Sequence, residues 1–519
     1  MTEIVISKKI AACTSLFLCG RELRVCMKSG GCRVPGLRTP AGRRAEGEST
    51  KDGKGEYMAG QLKGLFGTLD MTQGSPWSKL IRFSVPLLVG NFAQQLYNTV
   101  DSIIVGKYVG DGALAAVGAS GPLLNLLLVL FIGISTGANI MVAQYFGAKE
   151  RQHLSKTVGS TITLTFLCGA VLMVVGPLIV RPFLHLVGTP EDILGMTADY
   201  LTIIFLGTLG MAYYNILAGV LRGMGDSIMP LIFLLTACCI NVVLDLVFVA
   251  VFDWGVAGAA WATIAAQLIS AALCLMRVAR MRDMLDLNRQ TLRLDKRYVM
   301  QLARLGLPSG ASQAIFSTAA ILVQNLTNTF GTLFIACNTV VMRVDGFVIM
   351  PCFTFGNAMT SYVGQNIGAG RLDRVREGTR AGIKLAMGVS AVLVLCILFF
   401  GKNLMHMFTE TAELVAMGTH MMRILALGYI AMSVTQTLSG AMRGAGDTVT
   451  PMWISIIVTV IIRMPLAYGL AYLTRTPENP TGACESVYYS LLIAWIIGAV
   501  LNTVLYKKGV WKKRARLAQ

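Results

Sequence analysis

The sequence predicts an all-α polytopic membrane protein: about twelve transmembrane helices in two pseudo-symmetric six-helix lobes. Three observations lead there. The composition is too apolar for a soluble chain, with 54% of 519 residues hydrophobic and 14% charged, against about 25% charged in soluble domains. Apolar stretches of bilayer-spanning length recur about a dozen times along the chain. The motif RGxGD occurs twice, at Arg222–Asp226 and Arg443–Asp447, and other matches share that spacing.

The spans come in order near residues 80–106, 113–145, 157–182, 196–221, 229–252 and 257–279, then 298–328, 334–363, 380–401, 417–442, 450–473 and 486–506. Basic residues fall in alternate loops. One set holds Lys149, Arg151, Lys156, Arg222, the run from Arg277 to Arg297, Arg371 to Arg380, Arg443 and the tail from Lys507 to Arg516. The opposite loops hold little beyond Lys107, Arg181, Lys402 and Arg475. This asymmetry predicts a plasma (inner) membrane protein, bacterial, with both termini in the cytoplasm. It also accounts for the net charge of +18 without nucleic acid as a partner.

Five segments follow. Residues 1–70 are basic, polar and glycine-rich, and read as a disordered extension; Met71, opening "MTQGSPWSKLIRF", would make a reasonable alternative start. Residues 71–279 form the N-lobe, 280–297 a cytoplasmic inter-lobe loop, 298–506 the C-lobe and 507–519 a basic cytoplasmic tail. Of the twelve cysteines, those inside apolar runs act as small hydrophobes. Those before residue 33 lack the close-paired spacing of zinc sites. No cofactor is expected.

The repeat is internal duplication. Arg222/Arg443, Gly223/Gly444, Gly225/Gly446 and Asp226/Asp447 are each 221 positions apart, as are Pro230/Pro451, Gln144/Gln365 and Gly147/Gly368. An even number of spans per copy gives both copies one orientation, the parallel arrangement found in secondary transporters. RGxGD itself reads as a structural turn. The arginine ends a helix at the cytoplasmic interface, the glycines permit a tight reversal, and the aspartate or the residue after it caps the next helix. A phosphate-loop reading fails for want of GxxxxGK[ST].

Ionisable groups inside a bilayer are costly and point to ion or proton pathways. Asp101 lies about 9 Å from the outer end of the first span at 1.5 Å per residue, and Asp245 lies about 12 Å deep in the fifth. Asn241 shares the Asp245 helix face at i, i+4, and Thr263 of the sixth span falls at similar depth. Carboxylates, an amide and a hydroxyl suit a hard cation such as Na+, and two neighbouring carboxylates suit proton exchange. A role as helix-end caps is the alternative, strongest for Asp101. In the C-lobe, Arg343 and Asp345 sit in the eighth span and Arg463 in the eleventh; they form either a cavity or a buried salt bridge. The four histidines are scattered and neither HExxH nor GxSxG occurs, so no enzyme is expected.

The stretches "NTVDSIIVGKYVGDGALAAVG", "GANIMVAQYFGAKE", "LRGMGDS", "NVVLDLVF" and "YVGQNIGAG" resemble the multidrug and toxic compound extrusion (MATE) transporters, on their bacterial DinF-like side. The likeness covers about residues 71–506. It implies two six-helix lobes opening as a V, and export of small organic, often cationic, compounds by a monomer in exchange for Na+ or H+. The family's N-lobe cation site maps onto Asp101, Asn241, Asp245 and Thr263. Carboxylates that another branch carries in its seventh, tenth and twelfth helices are absent from those spans here. A lipid-linked oligosaccharide flippase of the same superfold is the alternative function.

Overall fold

The computed structural model describes residues 67–477 and 480–515, which form helices and turns without a strand. The first half runs α1 (Pro76–Tyr108), the short α2 (Asp111–Ala119), α3 (Gly121–Gly147), α4 (Arg151–Val187), α5 (Glu191–Leu206), α6 (Thr208–Gly223), α7 (Ile228–Asp245) and α8 (Gly255–Arg280). The second runs α9 (Lys296–Asn328), α10 (Thr332–Gly368), α11 (Leu372–His406), α12 (Ala412–Gly444), α13 (Val449–Ile456), α14 (Met464–Leu473) and α15 (Ser486–Lys508), followed by α16 (Val510–Ala515). A π-helical segment, Leu246–Val251, extends α7, and another, Ile457–Arg463, joins α13 to α14. Helices α5 and α6 follow each other across Gly207 at a bend of 54°.

Among the described residues ten helices are long and apolar enough to cross a membrane, eleven if the bent pair is one span. The exception is α1, whose middle carries Asn91, Gln94, Gln95, Asn98 and Asp101. Its polarity is explained by what it serves, because this helix holds part of the site described below. The duplication is structural as well as sequential. Helices α4 and α11 begin 221 positions apart, α6 and α12 end 221 apart, and α10 corresponds to α2 and α3 together.

Each RGxGD stretch closes its helix in the same way. Gly225 N–H donates to the Arg222 carbonyl (3.0 Å) and Asp226 N–H to Leu221 (2.9 Å); Gly446 and Asp447 repeat this with Arg443 (2.8 Å) and Met442 (2.9 Å). This paired pattern satisfies carbonyls that a helix end leaves open. It requires positive φ at Gly225 (84°) and Gly446 (90°), which only glycine adopts freely. Gly223 and Gly444 have another duty: a Cβ there would meet the carbonyls of Asn139 (2.8 Å) and Thr360 (2.5 Å) on the neighbouring helix.

Asp226 Oδ1 then accepts from Met229 N–H (3.0 Å) and Asp447 Oδ1 from Thr450 N–H (3.1 Å), capping the next helix in both copies. Asp226 Oδ2 also receives Arg277 (3.1 Å). Burial pushes the Asp226 carboxyl above its usual range, and the Met229 amide and Arg277 pull it back. Asp226→Ala removes a cap worth about 1 kcal/mol and a charge-assisted bond worth about 1.5–3 kcal/mol. The detergent-solubilised variant is expected to melt several degrees below the parent; an unchanged midpoint would show that this fastening is dispensable.

The two halves meet most closely at the end bearing these turns. The backbones of α3 and α9 approach through Gly133, Gly137, Gly306 and Gly310. A Cβ on Gly137 would lie 2.9 Å from the Leu302 carbonyl, and one on Gly306 2.8 Å from that of Gly133. Small residues permit such contact where no hydrophobic drive separates protein from lipid. Opposite this seam, α1 meets α10 through side chains: Asn91 Nδ2 donates to Thr354 Oγ1 (3.0 Å), and the Phe92 and Phe347 rings lie 5.7 Å apart.

At the turn-bearing end the halves are clasped crosswise. Gln144 Nε2 donates to the Gly444 carbonyl, and Gln365 Nε2 to the Gly223 carbonyl, both at 3.0 Å. Each glutamine thus grips the other half's turn. Gly147 abuts the Gln365 backbone and Gly368 the Gln144 backbone so tightly that neither has room for a Cβ. The segment before α1 straps this clasp. Leu69 N–H donates to the Gly225 carbonyl, while the fully buried Met71 donates from its N–H to Gln365 Oε1 (2.9 Å) and accepts from Asn366 and Arg374. Leu69 and Asp70, placed by the sequence in the extension, are joined to the folded body here, Leu69 by its backbone N–H and Asp70 by a carboxylate oxygen that accepts from Thr72. The reading of residues 1–66 as disordered lies outside the described residues.

Candidate functional site

Three polar places lie inside the helical body. The first is in the N-lobe. Asn241 and Asp245, one turn apart on α7, are both fully buried. Asp101 on α1 stands within hydrogen-bonding reach of Asp245. Thr263 on α8 accepts at Oγ1 from Asn241 Nδ2 (3.5 Å) and from Tyr97 OH (3.4 Å). All four residues expected from depth along the helices are thus gathered from three helices into one cluster. Tyr97 and the buried Tyr200 of α5 join them; the spacing of Tyr97 and Asp101 at i, i+4 was a legible signal for the first, while nothing local marked the second.

The chemistry of this cluster is unfinished. Asp101 Oδ1, Asn241 Oδ1 and both carboxyl oxygens of Asp245 are buried without a hydrogen-bond donor. Buried acceptors left this way cost about 1–3 kcal/mol each, more when charged. Two adjoining carboxylates also repel unless a proton or cation lies between them. Oxygen donors of this type fit a hard ion. Among the described residues no group of three or more His, Cys, Asp or Glu gathers elsewhere or here. The π-helical segment starts directly after Asp245; such wider turns frequently occur at functional sites.

The second place is a C-lobe pocket of about 230 Å³. It holds Asp345, nearly fully buried on α10, and Arg463, the last residue of the π-helical segment before α14. Trp495, Met342 and Met432 line it as well. The expected third member, Arg343, is corrected: it is exposed and absent from the lining. Two helical positions turn a side chain by about 200°, so Asp345 facing inward sends Arg343 outward.

The third place is a cavity of about 330 Å³ between the halves. Its walls come in matched pairs 221 positions apart: Thr136 and Asn357, Asn139 and Thr360, Asn215 and Gln436, and Arg222 and Arg443. The RGxGD arginines do end their helices, as expected, but their side chains turn to this cavity and not to the membrane interface. Both guanidinium-bearing residues line the interior cavity, because the last turns of α6 and α12 face the seam between the halves.

The MatE family model matches twice, over residues 86–247 and 308–469, one match per half. The chain belongs to the MatE family. A probable multidrug resistance protein of Bacillus subtilis, YoeA, is 30% identical over 454 residues, covering 86% of this chain and 96% of that protein. The probable multidrug resistance protein NorM of Thermotoga maritima is 25% identical, covering 85% and 94%. Among solved structures, an outward-facing multidrug resistance MATE transporter of the MOP superfamily superposes with a TM-score of 0.79 at 22% identity, covering 86% of this chain and all of the other. A MOP superfamily transporter from Pyrococcus furiosus superposes at 0.78 and 21%, covering 87% and 99%. This MatE chain is therefore a multi-pass membrane transporter of the multidrug efflux family, and the twofold match repeats the division into halves. The N-lobe cluster spans the first matched segment, at Asp101, Asn241 and Asp245, and extends beyond it to Thr263.

Proposed function

We propose that this chain is a monomeric antiporter that exports small organic compounds in exchange for Na+ or H+, with the N-lobe cluster as the coupling site. One observation carries the reading: four buried oxygen atoms on Asp101, Asn241 and Asp245 lack any donor. The turn-bearing end faces the cytoplasm, as the basic loops require, so the crossed glutamine clasp closes the cytoplasmic side.

The residues divide the work. Asp101 and Asp245 supply negative charge from α1 and α7, and their mutual repulsion makes an empty site unfavourable. Asn241 and Thr263 supply neutral oxygens from α7 and α8. Loading by a cation or by protons ties three helices together; release frees α1 from α7. A change in that tie is transmitted along α1 to the strap at its beginning, and so to the clasp. A ligand shifts such an equilibrium by its preference for one state.

The test is transport in proteoliposomes with Na+ and pH gradients imposed separately, following fluorescent organic cations and anions. An inward cation gradient of one kind is expected to accelerate export of at least one compound. If neither gradient changes any flux, the antiport reading fails.

A further inference from the structure

The cavity between the halves has a polarity that the coupling site does not explain. Its lining includes Arg222 and Arg443 and not one carboxylate. Neither arginine takes part in an ion pair among the described residues, and Arg443 Nε is buried without an acceptor. The aspartates of the same motifs are engaged elsewhere, Asp226 with Met229 and Arg277 and Asp447 with Thr450. Two partly buried guanidinium groups facing one cavity favour compensating negative charge there. The fold brings them to one cavity by its pseudo-twofold symmetry and surrounds them with the amides of Asn139, Asn215 and Gln436.

The cavity has an apolar annex. It shares Phe316, Phe353 and three hydroxyl residues with the C-lobe pocket, which continues to Trp495, Met342 and Met432. That pocket's one carboxylate, Asp345, is electrostatically opposed by its own arginine, Arg463. The composite is a basic, hydrogen-bonding head site joined to an aromatic and methionine-lined body site. Guanidinium forks match the oxygens of carboxylates, sulfonates and phosphates. Methionines adapt to bodies of varied shape.

We propose that the inter-lobe cavity binds amphipathic organic anions, or zwitterions by their acidic group, with the acid on Arg222 and Arg443 and the apolar body in the C-lobe pocket. As a statement about transported substrate this rests on the antiport reading; as a binding site it stands on the cavity. It departs from the cationic preference implied by the family resemblance by requiring an acidic group on the bound compound.

Two probes of one skeleton test it: radiolabelled naphthalene-2-sulfonate and 2-naphthyl-trimethylammonium, by equilibrium binding to the full chain in nanodiscs without any gradient. The wild-type protein is expected to bind the sulfonate saturably, with the ammonium compound failing to compete. Arg222→Gln and Arg443→Gln should each weaken sulfonate binding by about tenfold, the loss of one charge-assisted contact, and Arg222→Lys with Arg443→Lys should restore part of it. Tighter binding of the ammonium probe by the wild type overturns the proposal without recourse to any variant. So does unchanged sulfonate affinity in both glutamine variants. If the sulfonate fails to bind while cation-driven export persists in proteoliposomes, only this inference falls. If the sulfonate binds and no gradient drives export, the site stands and the antiport reading falls.

Discussion

Asp245→Asn is expected to abolish cation-driven export while leaving the protein folded. The amide is nearly isosteric with the carboxyl, so the packing of α7 is kept. What is lost is an ionisable carboxyl beside Asp101. A charge-assisted contact is worth about 1.5–3 kcal/mol, so affinity for the coupling ion should fall roughly ten- to hundredfold. Removing one of two adjoining carboxyls also removes their repulsion. The variant should therefore be at least as heat-stable as the parent without ions, yet no longer respond to added Na+ or to pH. Thermal melting with and without Na+, alongside proteoliposome exchange, reads both effects. Wild-type exchange rates in Asp245→Asn would remove the N-lobe cluster from the mechanism.

The second large effect is expected at the clasp. Alanine at Gly368 would drive its Cβ into the Gln144 carbonyl, and alanine at Gly147 into that of Gln365. These are backbone atoms, so the helices themselves must separate. Overpacking of this kind costs about 1–3 kcal/mol, and it falls on the closed state alone. A shift of that size changes the ratio of the two states roughly 5- to 150-fold. Hydrogen exchange should rise in the Gly223 and Gly444 turns, and export should slow because the closed state is undersupplied. The control is Gly388→Ala on α11, where a Cβ would meet nothing. Protection equal to that of the parent in both clasp variants would mean that the end is not held shut there.

Much of this architecture was legible before any coordinates, and the reason is periodic. Spans of apolar residues and a repeated RGxGD are local or one-dimensional signals, so twelve rods and two halves follow from them. The edges are close: the sequence predicts the first span over 80–106, and the helix runs from Pro76 to Tyr108. The cluster of Asp101, Asn241, Asp245 and Thr263 was legible because depth along a helix follows from counting residues. Direction around a helix was harder. Arg343 was grouped with Asp345 by proximity in sequence, and helical rotation separates them. Contacts across the seam left no sequence trace at all. Gln144 and Gln365 stood out as matched positions, yet a match says nothing about whether each residue serves its own half or the other. The same holds for Arg222 and Arg443, whose destination depends on which side of α6 and α12 faces the partner half.

The two flanks of the seam differ in a way that the duplication alone would not produce. One is closed backbone to backbone by Gly133, Gly137, Gly306 and Gly310; its counterpart, with Ser84, Leu88, Thr354 and Ala358 at the matching positions, is closed by side chains such as Phe92 and Phe347. A glycine seam can part only if whole helices move, whereas rings swing aside by rotating two bonds. The surrounding lipid therefore meets a door with a hinge on one edge and a latch on the other. The protein thus has a handedness toward its membrane that its doubled sequence conceals.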